Sequence, residues 1–318
     1  MWPNLKSMIN AGIIGYRNHS KKIIDIVKKK IKIKYIFHPN KLLKIKYFTN
    51  DINNLLNTDC VFILCPSKFH FFYLDFLTKN NYRGYIFCEK PPVTNLNDLK
   101  KLKKILTNKF YFNFNLRFSE INKYLVNNSK FGKLIQVNIQ DSKPYIFKKG
   151  ISKNWRTSDP GTLLSNNLIH YIDLILNTSK NKISKTHVLS RKISNKFKLI
   201  DSFQVSFEYN KIFINTFISY ATVLSKRIDL YLTNARIEIN DKAIKVFFPR
   251  DNLDKKKRFR EPKLYFKKKL SSIFGSSNLN SVNHFINIVK KRKKFNKNNL
   301  MNSLESNKII LDIAKKLD

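Results

Sequence analysis

Residues 60–65 read CVFILC and are followed directly by Pro66. An unbroken apolar run of this length, stopped by a proline, is typical of a short strand that is buried on both faces. Strands of this kind occur in parallel sheets that helices cover on both sides. The stretch therefore predicts a parallel sheet, and the segments on either side of it should supply the neighbouring strands and helices.

Strand and helix patterns alternate on both sides of this stretch. The upstream patterns predict a strand at 8–15 (MINAGIIG), a helix at 21–30, a strand at 31–37 and a short helix at 51–56. The downstream patterns predict a helix at 69–78, a strand at 85–88, a helix that opens at an Asn95 cap, and a strand at 110–118. This alternation predicts a doubly wound, Rossmann-type parallel sheet over residues 1–118, which we expect to bind a dinucleotide.

Beyond residue 118 the pattern changes to consecutive strands. A short helix near 120–125, a strand at 133–140 and an apolar helix at 161–176 come first. Strands are then predicted at 187–193, 203–209, 212–220, 227–232, 235–239 and 243–248, and helices near 282–290 and 305–317 close the chain. Strands that follow one another without intervening helices predict an open, mainly antiparallel sheet. Residues 119–318 are therefore predicted to form an α+β domain that binds substrate and supports oligomerisation.

The chain is strongly basic, with 62 Lys and Arg against 21 Asp and Glu and a net charge of +41. Such a charge favours anionic partners, including nucleic acid. The cations are nevertheless spread along the whole chain, and the enrichment in Lys, Asn, Ile and Phe follows A/T-rich codons. The densest runs, at 28–30 and 255–269, are predicted to be solvated faces or a loop. We therefore expect no nucleic-acid partner, although a positive field would favour anionic substrates.

The remaining composition indicates a soluble intracellular protein. Cys60, Cys65 and Cys88 lie in or beside apolar runs and lack the spacing of metal ligands, which predicts reduced, buried thiols and no metal site. The N-terminus has no apolar segment of the signal-peptide type, and no window is long and apolar enough to span a membrane. We therefore expect a cytoplasmic protein without a membrane partner.

The helix predicted at 161–176 (GTLLSNNLIHYIDLIL) carries a line of polar groups on an apolar body. Asn166, His170 and Asp173 fall within an arc of roughly 60° on an α-helix. Residues 157–179 contain no Lys or Arg, which indicates that the helix is buried. Buried polar groups are costly unless they are paired or used. The line is thus either a functional site or the polar side of a core helix whose histidine is merely hydrogen-bonded.

Polar and special residues also follow the predicted strands of the first domain. Gly15, His38, Pro66 and the Glu89-Lys90 pair all stand where a strand ends. The carboxyl ends of parallel strands share one edge, so these residues should converge on one crevice, where ligands of doubly wound sheets bind. Lys90 is followed by Pro91, which indicates a placed group suited to proton transfer or hydroxyl polarisation. The alternative is a surface lysine at a strand end.

The turn after the first strand departs from the dinucleotide fingerprint. Three glycines are expected, and only Gly15 is present, while Arg17 occupies the place of the second glycine. No acidic residue follows His38 to bind a ribose diol, which favours a 2′-phosphate or a degenerate site. The amides at the start of the helix, together with Arg17, could still bind an anion.

Several motifs together resemble the glucose–fructose oxidoreductase/inositol dehydrogenase (Gfo/Idh/MocA) family of NAD(P)-dependent oxidoreductases. They occur in the order and spacing of that family and span nearly the whole chain. The motifs are AGIIG at 11–15, CPSKFH at 65–70, CEKPP at 88–92, FNLRF at 114–118, NWR at 154–156 and LSNNLIHYIDLI at 164–175.

The resemblance implies roles for individual residues. Lys90 would contact the nicotinamide ribose and the reacting hydroxyl, and His170 would be the acid–base group. Asn166, a position that is often Asp in the family, belongs to the same catalytic set, and its lack of charge bears on rate or direction. Asp173 would orient His170 or support the helix. The substrate side would comprise Arg117, Trp155, Arg156 and Asp173, and the cofactor side Gly15, Tyr16, Arg17, His38, Pro66, His70, Glu89 and Lys90.

The resemblance therefore implies an enzyme that binds NAD or NADP. It would transfer hydride between the nicotinamide and a hydroxyl or keto carbon of a sugar, sugar nucleotide or polyol. The partner is then a small molecule, and the second sheet implies a homo-oligomer, a dimer or tetramer. The alternative is a degenerate member of the family that binds a sugar or a partner protein without turnover.

Overall fold

A computed structural model describes residues 8–39, 45–126, 129–148, 163–178, 183–197, 200–249 and 253–317. The chain divides into two compact units. The N-terminal unit consists of Met1–Asn115 and Ser277–Leu311, and the second unit of Leu116–Ser276 and Asp312–Asp318. Among the described residues, no helix has both the length and the apolar character that crossing a membrane requires.

The N-terminal unit contains the predicted alternation of strands and helices. Its elements up to residue 112 are β1 (Asn10–Ile14), α1 (Asn18–Val27), β2 (Lys32–Phe37), β3 (Phe48–Thr49), β4 (Cys60–Ile63), α2 (His70–Lys79), β5 (Tyr85–Cys88), α3 (Leu96–Ile105) and β6 (Phe110–Phe112). All strands pair in parallel, in the order β3-β2-β1-β4-β5-β6. The predicted parallel sheet is confirmed, and every residue of β4 and β5 is buried, as the apolar runs required.

Local chemistry explains where several helices begin and end. The Asn95 side chain accepts a hydrogen bond from the Asp98 amide (2.8 Å), which confirms the predicted cap of α3. The helix predicted at 51–56 is instead a 3₁₀ turn, Ile52–Asn57, which Asp51 caps. The strand predicted at 110–118 ends at Phe112, and a 3₁₀ turn, Asn115–Phe118, follows. The short strand β3 was not predicted.

The C-terminal segment Ser277–Leu311 belongs to the N-terminal unit, which differs from the predicted boundary. It carries α6 (Ser277–Lys290) and the first part of α7 (Lys297–Lys315). The Phe285 ring of α6 lies 5.0 Å from the Phe62 ring and 5.3 Å from the Phe87 ring, between centroids. The helices thus complete the apolar layer over β4 and β5. The apolar pattern of these helices shows that they are buried, but not against which sheet.

The second unit is built around an eight-stranded sheet. Its elements are α4 (Glu120–Val126), β7 (Leu134–Ser142), a π-helical segment (Leu164–Leu168), α5 (Ile169–Leu176), β8 (Ile183–Arg191), β9 (Ser202–Tyr209), β10 (Ile212–Ser219), β11 (Ser225–Leu232), β12 (Ala235–Asn240), β13 (Ala243–Phe248) and β14 (Lys263–Lys269). The strand order is β14-β13-β12-β11-β7-β10-β9-β8, and β7 with β10 is the parallel pair. The predicted mainly antiparallel sheet is confirmed.

Two features of this unit differ from the sequence-based expectation. The element predicted as one α-helix over residues 161–176 begins, within the described residues, with a π-helical segment, and α5 starts only at Ile169. Part of the basic run at 255–269 forms strand β14, which pairs with β13 although all seven of its residues are exposed. The high charge of this run correctly predicted that it is exposed, but the charged residues gave no indication of a strand.

We predict that Phe285→Ala destabilises the N-terminal unit by about 3–5 kcal/mol, because a large cavity would open against β4 and β5. Hydrogen exchange should therefore accelerate in β4 and β5 more than in β7 and β10. Phe72→Ala, which removes an exposed ring from α2 of the same unit, is the matched control and should change neither. Faster exchange confined to β7 and β10 in Phe285→Ala would contradict the assignment of α6 to the N-terminal unit.

Candidate functional site

The strand-end residues lie along one edge of the parallel sheet. The pairing register places Phe37, Ile14, Ile63, Cys88 and Phe112 in one row across β2, β1, β4, β5 and β6. The residues that follow this row therefore share the carboxyl edge, with adjacent strands about 4.8 Å apart. They are His38, Gly15, Leu64, Glu89 and Asn113. The predicted convergence of strand ends is thus a property of the sheet register.

Glu89 is a buried, hydrogen-bonded carboxylate at this edge. Its residue is only 8% exposed, so its carboxylate needs nearby partners. His19 Nε2 donates to Glu89 Oε1 (3.0 Å), and Asn113 Nδ2 donates to the same oxygen (2.7 Å). Asn113 Oδ1 in turn accepts from Ser281 Oγ (2.6 Å), whose oxygen accepts from the Tyr111 hydroxyl (2.6 Å). The carboxylate is therefore anchored to α1, β6 and α6 of the same unit.

The interaction between His19 and Glu89 shifts the pKa of each group in the direction that favours its charged form. The Glu89 carboxylate raises the pKa of His19 above its usual 6.5, by charge attraction first and by the hydrogen bond second. Burial would raise the pKa of Glu89. The charge of His19, the hydrogen bonds from His19 and Asn113, and the charge of Lys90 outweigh burial, so the pKa of Glu89 lies below its usual 4.5. Glu89 is consequently an anion at neutral pH.

Lys90 follows this anchored carboxylate directly. The residue is partly exposed, and its peptide bond to Pro91 is cis. A hydrogen bond from the Glu89 amide to the Ile63 carbonyl (3.0 Å) fixes the backbone just before it. The sequence motif CEKPP thus places an ammonium group at the carboxyl edge, next in sequence to a buried carboxylate.

The turn after β1 retains the glycine that its backbone requires. Gly15 has φ +100°, and a Cβ at this position would lie 3.0 Å from the Cys65 amide nitrogen. The place of the third fingerprint glycine is taken by the buried Ser20, whose hydroxyl donates to the Leu64 carbonyl (2.8 Å). Arg17, in the place of the second glycine, is exposed and precedes α1, whose first turn carries no acidic residue. Free amides and a positive helix end at such a turn suit a phosphate group.

The other proposed cofactor residues occupy different environments. Tyr16, His38 and Pro66 are partly exposed at the carboxyl edge, and the His38 amide donates to the Thr49 carbonyl (3.2 Å). His70 is only 1% exposed, and its ring nitrogens lie 2.8 Å from the Pro91 carbonyl oxygen and 3.0 Å from that of Cys65. Burial lowers the pKa of His70. In this structure the imidazole links two turns of the edge.

Within the second unit, Asp173 of α5 forms a buried ion pair with Arg117. Arg117 Nε donates to Asp173 Oδ2 (2.7 Å), and Nη2 donates to Oδ1 (2.5 Å). The side chains are 10% and 1% exposed, so the pair is shielded from water. A bidentate guanidinium–carboxylate pair fixes both position and orientation. The pair therefore fixes α5 to the 3₁₀ turn at Asn115–Phe118.

His170 and Asn166 lie near the start of α5 and are both partly buried. Asn166 belongs to the π-helical segment, so the two residues do not share the α-helical spacing on which the predicted arc relied. The His170 ring meets the Phe274 ring edge-on, at 6.1 Å between centroids. π-Helical turns inside helices are frequent at functional sites. The predicted substrate residues Trp155 and Arg156 lie outside the described residues.

Two further contacts were not predicted from the sequence. Lys143 follows β7, and its ammonium group donates to Oδ1 of the buried Asn167, in the π-helical segment. The signal was present, because Lys143 precedes Pro144 at a strand end just as Lys90 precedes Pro91. Asn113 follows β6 as Glu89 follows β5, but the predicted strand continued to residue 118, so the strand-end rule did not identify it. The pairing of His19 with Glu89 has no sequence signal, because the two residues are distant in the chain.

The three predicted thiols carry no disulfide. Cys60 and Cys88 are buried, as predicted, whereas Cys65 is only partly buried. Burial raises the pKa of Cys65 to about 12, so its thiol is protonated at neutral pH. In the described part of the chain, no group of three or more His, Cys, Asp or Glu side chains is arranged to hold a metal ion.

Residues 9–110 match a family model described as "Oxidoreductase family, NAD-binding Rossmann fold", that of GFO_IDH_MocA. This match confirms the resemblance to the Gfo/Idh/MocA family. It covers β1 to the first residue of β6, and thus the Gly15 turn and the Glu89–Lys90 strand end. The family is NAD-binding, which agrees with the predicted cofactor class. A comparison with curated protein sequences shows no match to this chain.

Solved structures share the fold of the whole chain. Myo-inositol 2-dehydrogenase from Lactobacillus plantarum is 16% identical, with 98% of each chain covered and a TM-score of 0.76. UDP-N-acetylglucosamine 3-dehydrogenase GnnA from Acidithiobacillus ferrooxidans is 13% identical, covering 97% of this chain and 96% of its own, with a TM-score of 0.73. An oxidoreductase from Agrobacterium radiobacter in complex with NAD⁺, L-tartaric acid and magnesium is 15% identical, with 96% and 94% coverage and a TM-score of 0.75. At these identities the similarity shows that the chain shares their fold.

We predict that the His19–Glu89 pair makes stability depend on pH. Because folding raises the pKa of His19, its contribution is complete below pH 6.5 and is lost as the pH rises through the raised value. Because folding lowers the pKa of Glu89, its contribution is complete above pH 4.5 and is lost as the pH falls through the lowered value. The pair therefore stabilises most between these limits.

When the pH is raised from 6 to 8.5, the thermal unfolding midpoint of the native chain should decrease by more than that of His19→Gln. The glutamine retains a hydrogen-bond donor but cannot titrate. The difference should be small, because the His19 side chain is 51% exposed. His187→Gln, at an exposed position on β8, is the control and should behave like the native chain. Equal falls in the native chain and His19→Gln would contradict the role of the pair.

Proposed function

We propose that the protein is an NAD- or NADP-dependent oxidoreductase acting on a hydroxyl or keto carbon of a sugar, sugar nucleotide or polyol. The observation that carries the proposal is the anchored Glu89 at the carboxyl edge, with Lys90 next to it and the Gly15 turn two strands away. The family matched by this region is NAD-binding. The substrate class comes from similar structures that are named as dehydrogenases of myo-inositol and of UDP-N-acetylglucosamine.

The N-terminal unit has the groups that a nicotinamide dinucleotide needs. Gly15 allows close approach of backbone and ligand, and the amides at the start of α1 with Arg17 would bind the pyrophosphate. His38, at the end of β2, would lie near the adenosine ribose, where a residue without negative charge tolerates a 2′-phosphate as well as a diol. Tyr16 and Pro66 would contact the cofactor beside the turns that carry them. When bound, the nicotinamide ring accepts or supplies the hydride.

The proton chemistry is assigned to Lys90 and His170. His170 would take the proton from the substrate hydroxyl as the hydride leaves, which is the work of a general base. Lys90 would stabilise the negative charge that develops on that oxygen. The Glu89 carboxylate, next in sequence, would offset part of the positive charge of Lys90. The amide of Asn166 carries no negative charge, so it would stabilise the protonated His170 less than a carboxylate would. We expect this weaker stabilisation to limit the rate of oxidation.

Arg117 and Asp173 would support this chemistry through position. Each charge is already used by the other in a buried bidentate pair, so neither is available to bind an anionic substrate without breaking it. We therefore propose that the pair positions α5 and, with it, His170. Trp155 and Arg156 remain the proposed substrate contacts.

The proposal extends to assembly and location. The open face of the second sheet carries polar and aromatic side chains in alternation with buried ones, such as Phe213 and Asn215 on β10. Arg227 on β11 is also exposed, and β7 separates these two strands. We propose that this face forms a homo-oligomer, a dimer or tetramer, in the cytoplasm. Sedimentation of the native chain measures the assembly directly.

The test of the proposed function is nicotinamide absorbance during incubation with a panel of sugars, sugar nucleotides and polyols. With the best substrate, Lys90→Met and His170→Asn should each lower kcat/KM by about 10²- to 10⁴-fold, the usual contribution of a positioned acid–base group. Lys68→Met and His187→Asn change the same residue types at exposed positions and should leave kcat/KM within about twofold.

Two outcomes would count against the proposal. Turnover that survives both Lys90→Met and His170→Asn would remove the assigned chemistry. Binding of cofactor and sugar without any turnover would favour the alternative, a family member that binds without catalysis, which the residues Arg17 and Asn166 motivate.

A further inference from the structure

A surface segment outside the proposed site combines clustered cations with exposed aromatic rings. Residues 253–269, the basic segment, contain nine Lys and Arg against two acidic residues. All of these residues except Asp254 and Pro262 are exposed. The segment consists of a turn at 253–260 followed by β14, which lies at the edge of the second sheet. Nothing in the proposed reaction uses it.

The turn is an ordered structure that directs its cations outward. The Asp254 carboxylate accepts hydrogen bonds from the Lys256 amide (2.8 Å) and the Arg258 amide (3.0 Å). Its second oxygen accepts from Arg258 Nε (2.9 Å) and Nη2 (2.7 Å). The acid of the turn is thus used internally. Lys257 has φ +58°, a backbone conformation in which glycine, which lacks a Cβ, would be less strained.

Two apolar side chains project from the same face of this turn. Leu253 and Phe259 form an antiparallel bridge, which places directly opposed side chains on one face. Leu253 is 46% exposed and Phe259 is 90% exposed, the largest exposure among the large apolar residues that the structure describes. A single exposed apolar residue is ordinary. Leu253 and Phe259 are instead a pair, with the exposed cations Lys255–Lys257 and Arg260 nearby in sequence. The turn therefore combines apolar surface with positive charge.

We propose that the basic segment binds an anionic lipid surface, with Leu253 and Phe259 entering the interface and the flanking cations facing the headgroups. Interfacial segments of proteins pair apolar side chains with Lys and Arg in this way, and each cation close to an anionic bilayer strengthens binding. A peripheral contact needs no membrane-spanning helix, so the proposal replaces the sequence-based expectation that the protein has no membrane partner. The proposal is independent of the proposed enzymatic function.

The geometry favours lipid over nucleic acid as the anionic partner. Proteins that hold single-stranded nucleic acid generally do so in a positively charged groove, where bases stack on aromatic rings. In the turn, every residue except Asp254 is exposed, and Phe259 is 90% exposed, so the turn itself forms no groove around this ring. A projecting ring with cations on both sides instead fits a planar surface.

Binding through the basic segment must be distinguished from binding that depends only on the high net charge of the chain. Helix α3 provides the matched control, because Lys100, Lys101 and Lys104 are exposed while the neighbouring Leu99 and Leu102 are buried. Lys100→Gln/Lys101→Gln/Lys104→Gln therefore removes the same charge as Lys255→Gln/Lys256→Gln/Lys257→Gln, without an exposed apolar pair beside it.

The experiment is co-sedimentation of the full chain with vesicles of phosphatidylcholine, with and without phosphatidylserine. The native chain should bind the phosphatidylserine vesicles selectively. The 255–257 triple variant should lose about a hundredfold in partition coefficient, at about fivefold per cation. Phe259→Ser should lose about tenfold through lost apolar contact. The α3 variant should stay within about threefold of the native chain, and all variants should keep its circular dichroism and thermal midpoint.

Three results would overturn the proposal. The first is absence of selective binding by the native chain, and the second is an equal loss in the α3 and 255–257 variants, which would make binding a matter of total charge. The third comes from fluorescence anisotropy with oligouridylate. Tighter binding to this probe than to vesicles, lost in Phe259→Ser, would assign the segment to single-stranded nucleic acid.

Discussion

A buried carboxylate at the edge of a parallel sheet must be compensated, and the carboxyl edge of the N-terminal unit is organised around that requirement. Glu89 follows a strand whose residues are all buried, so water does not solvate its charge freely. His19 supplies a ring N–H donor from α1, and Asn113 supplies an amide from the residue after β6. The three together fix the start of a helix and two strand ends. Lys90 follows Glu89 directly in sequence, and the Gly15 turn leads into α1, which carries His19.

The second unit meets the same requirement in another way. Asp173 is buried within an apolar helix and would be unstable as an isolated charge. Arg117 compensates it with a bidentate pair, which also fixes the orientation of α5. A polar line on an apolar helix can therefore include structural members. Asp173 is such a member, while Asn166 and His170 occupy the partly buried positions before it.

Much of the fold follows from apolar periodicity alone. The runs at 60–65 and 85–88 are too apolar for any strand that faces water, so a covered parallel sheet was the only arrangement that buried them. Features set by tertiary contacts did not follow. The Ser277–Leu311 helices are amphipathic and could have covered either sheet. Strand β14 reads as a charge run because an edge strand with both faces exposed has no apolar alternation.

In the candidate site, too, some residues could be predicted from sequence patterns and others depend on tertiary contacts. Residues at strand ends are readable from sequence because the register of parallel strands brings them to one edge. His19, which lies in a helix, is not at a strand end, so its pairing with Glu89 required the structure. The π-helical segment likewise has no periodic signature, since Leu164–Leu168 differs from α-helix in its hydrogen bonds rather than its composition. Local pattern thus predicts where polar groups stand, and packing decides which of them meet.

The central claim is that the carboxyl edge organised by Glu89 and the Gly15 turn binds a nicotinamide dinucleotide. Calorimetric titration of the native chain with NADH and with NADPH tests it most directly. We predict binding of at least one of them with a dissociation constant between about 1 μM and 1 mM, the usual range of KM values. Gly15→Val should abolish that heat, because its Cβ would meet the Cys65 backbone. Absence of binding by both nucleotides at millimolar concentration, in a folded native chain, would contradict the account.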